Sequence, residues 1–305
     1  LNILLTGAAG QLGSELHPML SARGHLTATD RHKPAAAAGD WLELDIGDFD
    51  RLEALLERVR PALIVNTAAY TAVDRAEADR QTAFDINAEL PSRLAAWAGR
   101  NDARLLHYST DYVFNGNIAR PYLESDRPDP QNVYGESKLA GERAVAAAGC
   151  THVTLRTSWV YSSHGKNFVL SMLDLARRGL SLSVVNDQRG CPTWARNLAH
   201  ASIAVIEAWQ AGGGGNVNGV YHYRDDTSLS WYGFANAVFR HAVDAGLLDA
   251  LPGLAPVPSS EFPQPAKRPG WSVLDTGKID RVFGVRPASF EHALKTVIDE
   301  IKTRA

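Results

Sequence analysis

Tyr134 and Lys138, in the run Tyr134-Gly135-Glu136-Ser137-Lys138, have the types and the spacing for proton transfer. Positions i and i+4 share one face of a helix, so a phenol and an ammonium would lie side by side. A free tyrosine titrates at about 10, well above neutral pH. An adjacent positive charge favours the phenolate, by about 1.4 kcal/mol for each unit of pKa. Tyr134 then becomes a better proton donor to a carbonyl oxygen that gains charge during hydride delivery. Lys138 can also bond a nicotinamide ribose. The pair alone recurs by chance. Ser109-Thr110, 24 residues before Tyr134 counted from Thr110, ends an apolar run and adds a hydroxyl that would polarise the same oxygen.

A second cluster would hold an anion. Gly7, Gly10 and Gly13 in Thr6-Gly7-Ala8-Ala9-Gly10-Gln11-Leu12-Gly13 follow an apolar run and open a helical pattern. Gly7 suits the tight turn, Gly10 the approach of a pyrophosphate, and Gly13 close packing of helix on sheet. Unpaired N–H groups at the helix start would face the phosphates. Asp30 stands 17 residues past Gly13 at the end of the next apolar run. An acid there accepts from ribose hydroxyls; the plainer reading is a strand-end turn residue. Arg31 and Lys33 would pair with the extra phosphate of NADPH, whereas Asp30 alone favours NADH, so both cofactors are expected. Asp45-Ile46 would suit the adenine rim, and Ala69-Tyr70-Thr71 the nicotinamide half.

These residues need a scaffold that gathers them, and the pattern supplies one. Strands are predicted at 3–6, 26–30, 41–45, 63–66, 104–109 and 153–157, and helices at 11–23, 48–59, 79–99 and 133–148. Strict alternation implies a parallel sheet covered on both faces, with ligands at the carboxyl ends of its strands. After about residue 160 the rhythm loosens. Residues 220–223 read as a late strand and 212–215 as an exposed glycine loop. Six prolines in 252–269 exclude a regular helix or a central strand. A closing helix spans 289–301, capped by Ser289, with Leu294, Val297, Ile298 and Ile301 on its apolar side. The fold class is therefore α/β, a Rossmann-type doubly wound parallel sheet with a smaller C-terminal substrate-binding lobe. Residues 1–158 would form the cofactor domain, its sheet completed by 194–223; 159–193 and 224–305 would form the second lobe.

Composition narrows the classes. The chain of 305 residues has 45% hydrophobic and 21% charged residues, which excludes wholesale disorder. A net charge of −3 argues against a dedicated nucleic-acid binder. Cys150 and Cys191 are too few for a disulfide framework or a cysteine-rich zinc site. The histidines, His107, His152, His222 and His292 among them, lack metal-ligand spacing. No apolar run approaches the roughly 20 residues of a bilayer span, and the apolar start is short for a signal peptide. The expectation is a soluble, cytoplasmic protein.

The chain resembles the extended short-chain dehydrogenase/reductases, and among them the dTDP-4-dehydrorhamnose reductase family. The resemblance runs along nearly the whole chain. It is carried by Gly7 to Gly13, Asn66-Thr67-Ala68-Ala69-Tyr70-Thr71-Ala72-Val73-Asp74 and His107-Tyr108-Ser109-Thr110-Asp111-Tyr112-Val113-Phe114. It continues in Asn132 to Glu142, Arg156-Thr157-Ser158-Trp159-Val160-Tyr161, Asn186-Asp187-Gln188 and Arg268-Pro269. The resemblance implies reduction of the 4-keto group of a dTDP-linked 6-deoxy sugar by NADPH or NADH, within dTDP-rhamnose biosynthesis. Tyr134 would donate the proton, Lys138 would tune it, and Thr110 would be the second partner of the keto oxygen. Gly10, Gln11, Leu12, Asp30, Asp45, Ile46, Ala69, Tyr70, Thr71 and Tyr108 would line the cofactor; Thr110, Asp111 and Trp159 would contact the sugar nucleotide. Trp159 follows a predicted strand, where its ring is either a stacking surface or a core tryptophan.

One departure stands out. Some relatives are dimers bridged by magnesium through interface glutamates, and Glu15 fits one such position. Arg196 stands where the pattern has another glutamate, which removes a hard ligand and adds repulsion, so no metal bridge is expected. Arg189 in the preceding loop reads as a solvated side chain. A 4-epimerase or dehydratase on the same scaffold, and a non-catalytic regulatory subunit, are the alternatives. A dehydratase would carry Asp-Glu after the threonine, but Tyr112 follows Asp111.

Overall fold

The central strands of the computed structural model are buried along their length rather than on alternate residues, as a sheet covered on both faces requires. The structure describes residues 1–35, 39–212 and 217–304; of the expected glycine loop, all but Gly212 lies outside them. Seven strands form the main sheet: β1 (Asn2–Thr6), β2 (His25–Asp30), β3 (Asp40–Glu43), β4 (Leu63–Asn66), β5 (Arg104–Thr110), β6 (Thr151–Thr157) and β7 (Gly219–His222). Their order is β7-β6-β5-β4-β1-β2-β3, every pair parallel. Chain order reverses between β1 and β4, and the loops leaving their carboxyl ends frame a crevice there.

The two faces bury different helices. On one, α1 (Gln11–Ser21) and α6 (Ala195–Gln210) set Leu16, Leu20, Leu198 and Ile206 against Ile3, Leu5, Val65 and Leu106. On the other, α2 (Phe49–Val59) and α3 (Leu90–Arg100) set Leu52, Leu56, Leu94 and Trp97 against Leu4, Ile64 and Leu105. The helix α4 (Val133–Ala147) packs beside α3 on that second face. A separate apolar core joins α5 (Phe168–Arg177), α7 (Trp231–Asp244) and α8 (Phe290–Arg304) through Val169, Leu173, Phe234, Val238, Leu294 and Ile298.

Three local differences from the sequence pattern have physical causes. The expected helix at 79–99 is Arg80–Phe84, a π-helical turn Asp85–Glu89, and then α3. The wider turn carries the fully buried Asn87, whose amide is spent on neighbouring elements instead of on solvent. The third strand ends at Glu43, two residues early, and Asp45 turns back to accept from Gly47 N at 3.0 Å. In the proline-rich stretch Leu254–Val257 pairs only with Leu182–Val185, in a two-stranded sheet apart from the main one.

Candidate active site

The glycine turn is built by exclusion of side chains. Gly7 has φ +68°, and a Cβ there would come 2.6 Å from Ala68 N on the neighbouring strand's loop. A Cβ on Gly13 would run into the Gly7 carbonyl oxygen, so α1 lies against the turn only because Gly13 has none. Gly10 N donates to Gly7 O at 3.0 Å, and no side chain caps α1 at Gly10. The first-turn N–H groups are thus offered to an anion. Asp30 braces the turn: Oδ2 accepts from Ala9 N at 2.9 Å and Oδ1 from Arg31 N at 2.7 Å. Each carboxylate oxygen keeps a further lone pair, so bracing and a ribose contact are compatible.

A cleft of about 970 Å³ opens from this turn. Of the residues expected at a cofactor, Gly7, Gly10, Asp30, Arg31, Asp45, Ile46, Ala69, Tyr70 and Thr71 line it. Gln11, Leu12, Gly13, Tyr108, Tyr134 and Lys138 are not in its wall. The Gln11 amide turns away: its Oε1 accepts from Ser162 Oγ at 2.9 Å and Asn167 Nδ2 at 3.0 Å. Leu12 packs on the apolar core under α1. Tyr108 divides its groups between the two faces of the sheet. Its hydroxyl shares a 2.7 Å hydrogen bond with Ser202 of α6, on the face away from α4. What it presents to the site is its carbonyl, because side chains alternate along β5.

The residues expected to be catalytic assemble where β5 meets α4. Thr110 ends the strand, its Oγ1 accepting from Tyr112 N at 3.1 Å and donating to Asp111 Oδ1 at 3.1 Å. Asn132 caps α4, with Oδ1 accepting from Gly135 N at 2.8 Å. A Cβ on Gly135 would strike the Tyr112 carbonyl oxygen, and one on Gly141 the Asn87 carbonyl oxygen. These two glycines let α4 press onto the threonine loop and the π turn. Tyr134 consequently meets Tyr112 edge-on, ring centroids 6.0 Å apart at 79°.

The electrostatics differ from the simple pairing. Burial pushes the Tyr134 phenol up to about 12, with the Asp111 carboxylate adding to the shift and the Thr110 hydroxyl opposing it. Lys138, 3% exposed, donates Nζ–H to Tyr108 O at 2.6 Å rather than to the phenol. Burial brings Lys138 down to about 8, against the pull of Glu142. Desolvation therefore outweighs the attraction expected between ammonium and phenolate. Asp111, 2% exposed, is pushed up to about 7 by burial, with the Ser272 and Thr110 hydroxyls holding it back. Its Oδ2 has no hydrogen-bond partner among the described residues.

Several supports were given no role by the sequence. Asn87 Oδ1 accepts from Tyr70 N at 2.9 Å, while Nδ2 donates to Tyr70 O and Ser137 Oγ, both at 3.0 Å. One amide thus ties the cleft wall to α4. Arg156 and Glu142 form a buried bidentate pair at 2.8 and 2.6 Å. Arg268 grips Asp74 through two nitrogens at 3.0 and 2.8 Å, and Asn132 Nδ2 donates to Lys267 O at 2.7 Å. Both Arg268 and Asp74 stand in motifs quoted above, but their pairing crosses 194 residues.

Trp159 is half-buried with φ +47°, and its indole stacks on Trp231. It is therefore both packed and partly open. Arg189 is exposed, as read. Arg196 lies between two carboxylates, Nε 2.7 Å from Glu15 Oε2 and NH1 2.7 Å from Glu300 Oε1. The guanidinium supplies the positive charge that this acidic pair needs.

Comparison with known proteins places these features in a family. A family model described as the RmlD substrate binding domain matches residues 1–303. The dTDP-4-dehydrorhamnose reductase of Escherichia coli (strain K12) is 41% identical over 306 residues, covering 99% of each chain. Among solved structures, a dTDP-4-dehydrorhamnose reductase of Clostridium acetobutylicum superposes with a TM-score of 0.86 at 34% identity, covering 99% of this chain and 100% of that one. The Bacillus anthracis enzyme, solved in complex with NADP, gives 0.85 at 32% identity, covering 98% of both chains.

Proposed function

Because the chain belongs to the dTDP-4-dehydrorhamnose reductase family, we propose that it reduces the 4-keto group of dTDP-4-dehydro-β-L-rhamnose to give dTDP-L-rhamnose, using NADPH and also accepting NADH. The observation that carries this reading is the meeting of Thr110, Tyr134 and Lys138 beside a turn with no room for a Cβ at Gly7 or Gly13. Such a cradle fits a dinucleotide, whose pyrophosphate needs bare backbone. Bound there, the reduced nicotinamide supplies the hydride.

The chain's residues do the rest. The N–H groups of Gly10, Gln11 and Leu12 hold the pyrophosphate, Gly13 lets them approach it, and Asp30 takes the ribose while Arg31 takes the extra phosphate. Asp45 and Ile46 border the adenine; Ala69, Tyr70 and Thr71 border the nicotinamide; Lys138 and the Tyr108 carbonyl hold the nicotinamide ribose. Tyr134 delivers its proton to the keto oxygen as charge builds there, and Thr110 donates a second hydrogen bond to it. A phenol kept neutral by burial is in the donor state at neutral pH. Asp111 and Trp159 contact the sugar nucleotide, and the buried Asp111 Oδ2, without a partner among the described residues, is suited to accept from a sugar hydroxyl.

We assign residues 1–158, completed by 194–223, to the cofactor lobe and 159–193 with 224–305 to the sugar-nucleotide lobe; the separate core of α5, α7 and α8 supports that division. The reading further includes a cytoplasmic enzyme that binds no nucleic acid and makes no magnesium-bridged dimer, Arg196 taking the cation's place between Glu15 and Glu300. No helix among the described residues is long and apolar enough to cross a membrane.

The test is turnover. Purified protein with dTDP-4-dehydrorhamnose should consume NADPH, as seen by loss of the reduced nicotinamide's absorbance, with UDP- and GDP-linked 4-keto sugars as controls. No consumption with either cofactor defeats the reading.

A further inference from the structure

Trp159 holds a backbone conformation that tryptophan rarely adopts. Its φ of +47° lies in the left-handed region, where the Cβ of any L-residue is crowded. Such a conformation persists only where the surroundings fix it. Here they come from segments distant in the chain. Trp231, first residue of α7, stacks on the Trp159 indole with centroids 3.6 Å apart and planes 11° from parallel. Gly190 lies against the same indole, where a Cβ would sit 2.5 Å from Cε2.

The hold on Trp231 is itself layered. Ser230 caps α7, its Oγ accepting from Gly233 N at 3.0 Å and donating to Asn186 Oδ1 at 2.6 Å. The Leu229–Ser230 strand pairs with Arg189–Gly190, so one small sheet sets both the glycine and the tryptophan that confine Trp159. Asn186 belongs to the Asn186-Asp187-Gln188 motif that the chemistry above left without a task. Phe168 backs Trp231 from behind at 4.8 Å.

Trp159 stands two residues past β6, whose last residue Thr157 pairs with Thr110. It is thus at the carboxyl edge of the sheet, on the strand next to the one that ends in the catalytic threonine. A single tryptophan there would have many rotamers; a stacked pair has one plane.

We propose that Trp231 is a positioning residue for the sugar nucleotide, acting by clamping Trp159 against Gly190 so that the indole presents a fixed edge to the sugar. The inference rests on the reading that Trp159 touches the sugar nucleotide. It makes substrate affinity, and not the chemical step, depend on a residue of the second lobe.

Steady-state kinetics of the full chain separate the cases. Trp231→Leu should raise KM for dTDP-4-dehydrorhamnose about fivefold, the loss of one aromatic pair. Its kcat should stay within about twofold and NADPH binding should not change, as expected when uniform binding is lost. Trp231→Phe should recover most of the lost KM. A stacked tryptophan pair also gives an exciton couplet in circular dichroism. That couplet should vanish in either Trp→Phe variant and should change when dTDP-L-rhamnose, but not NADP, is added to the wild type.

An unchanged KM in Trp231→Leu overturns the inference, as does a parallel loss of kcat, NADPH binding and Tm, or a couplet indifferent to dTDP-L-rhamnose. Trp159→Phe distinguishes the two levels. If it leaves KM unchanged, the substrate contact of Trp159 fails; if it raises KM while Trp231→Leu does not, only the clamp fails.

Discussion

The proposed cofactor cleft and the proposed catalytic pocket lie at neighbouring strand ends, yet they are built on opposite principles. The cleft is a main-chain site. Its shape comes from missing side chains at Gly7, Gly10 and Gly13, and its charges, Asp30 and Arg31, are open to water. The pocket is a side-chain site in which ionisable groups are buried: Asp111, Lys138, Glu142, Arg156 and His107 are each under 5% exposed. Burial there sets the protonation states, pushing Tyr134 and Asp111 up and Lys138 down. The difference teaches where each site is fragile. The cleft should suffer from added atoms and the pocket from removed or altered charge.

Substitutions can break that contrast, starting at the pocket. Tyr134→Phe should lower kcat by about 10² to 10⁴, the usual worth of a positioned acid, while NADPH affinity measured by fluorescence titration stays as it was. Retained turnover would assign the proton to another group. At the cleft, Gly7→Ala adds a single methyl to a left-handed residue facing Ala68 N. A destabilisation of about 1–3 kcal/mol is expected, read as a lower Tm, with NADPH binding weakened in parallel. A variant as stable and as tightly binding as wild type would refute the main-chain account.

Smaller effects sharpen the contrast. Arg31→Ala should raise KM for NADPH about tenfold, the scale of one charge-assisted hydrogen bond, and leave KM for NADH nearly alone. Equal losses for both cofactors would remove Arg31 from the phosphate. The pH dependence tests the pocket. Lys138, lowered to about 8 by burial, carries its charge below that pH and loses it above. Profiles of kcat/KM should therefore fall as pH rises through about 8, and Lys138→Arg should abolish that limb because guanidinium stays charged. An identical limb in the arginine variant would assign it to a different group.

The pocket also hides a stability cost that the cleft lacks. The folded Asp111 titrates at about 7, above its ordinary 3.8, so the folded state holds a proton that the unfolded chain releases. Stability from this group is greatest at acid pH and is lost as pH rises between those values. Asp111→Asn should flatten that part of a Tm-versus-pH curve, whereas an unchanged slope would place the titration elsewhere.

How much of this was legible depends on the kind of constraint. The strand-turn-helix frame at Gly7 to Gly13 is local, so spacing and glycine placement expose it, and the same holds for Tyr134 and Lys138 on one helix. Asn87 was hidden because nothing local marks an amide that reaches Tyr70 and Ser137 at once. The Asp74–Arg268 grip and the Trp159–Trp231 stack join residues far apart in the chain. The orientation of Tyr108 was hidden for a different reason: a motif gives a residue's position but not which of its groups faces the site, and strand alternation sends the phenol to Ser202.

The sequence by itself determined the alternation of strands and helices, the glycine turn, the tyrosine–lysine pair and the family to which they belong. These follow from periodicity and from short-range geometry, which the chain carries wherever it folds. The tertiary structure alone decided the protonation states, the orientation of Lys138 and the clamp on Trp159. Desolvation and stacking depend on which distant segments exclude water from a group, and that is settled only when the sheet and the second core close around it.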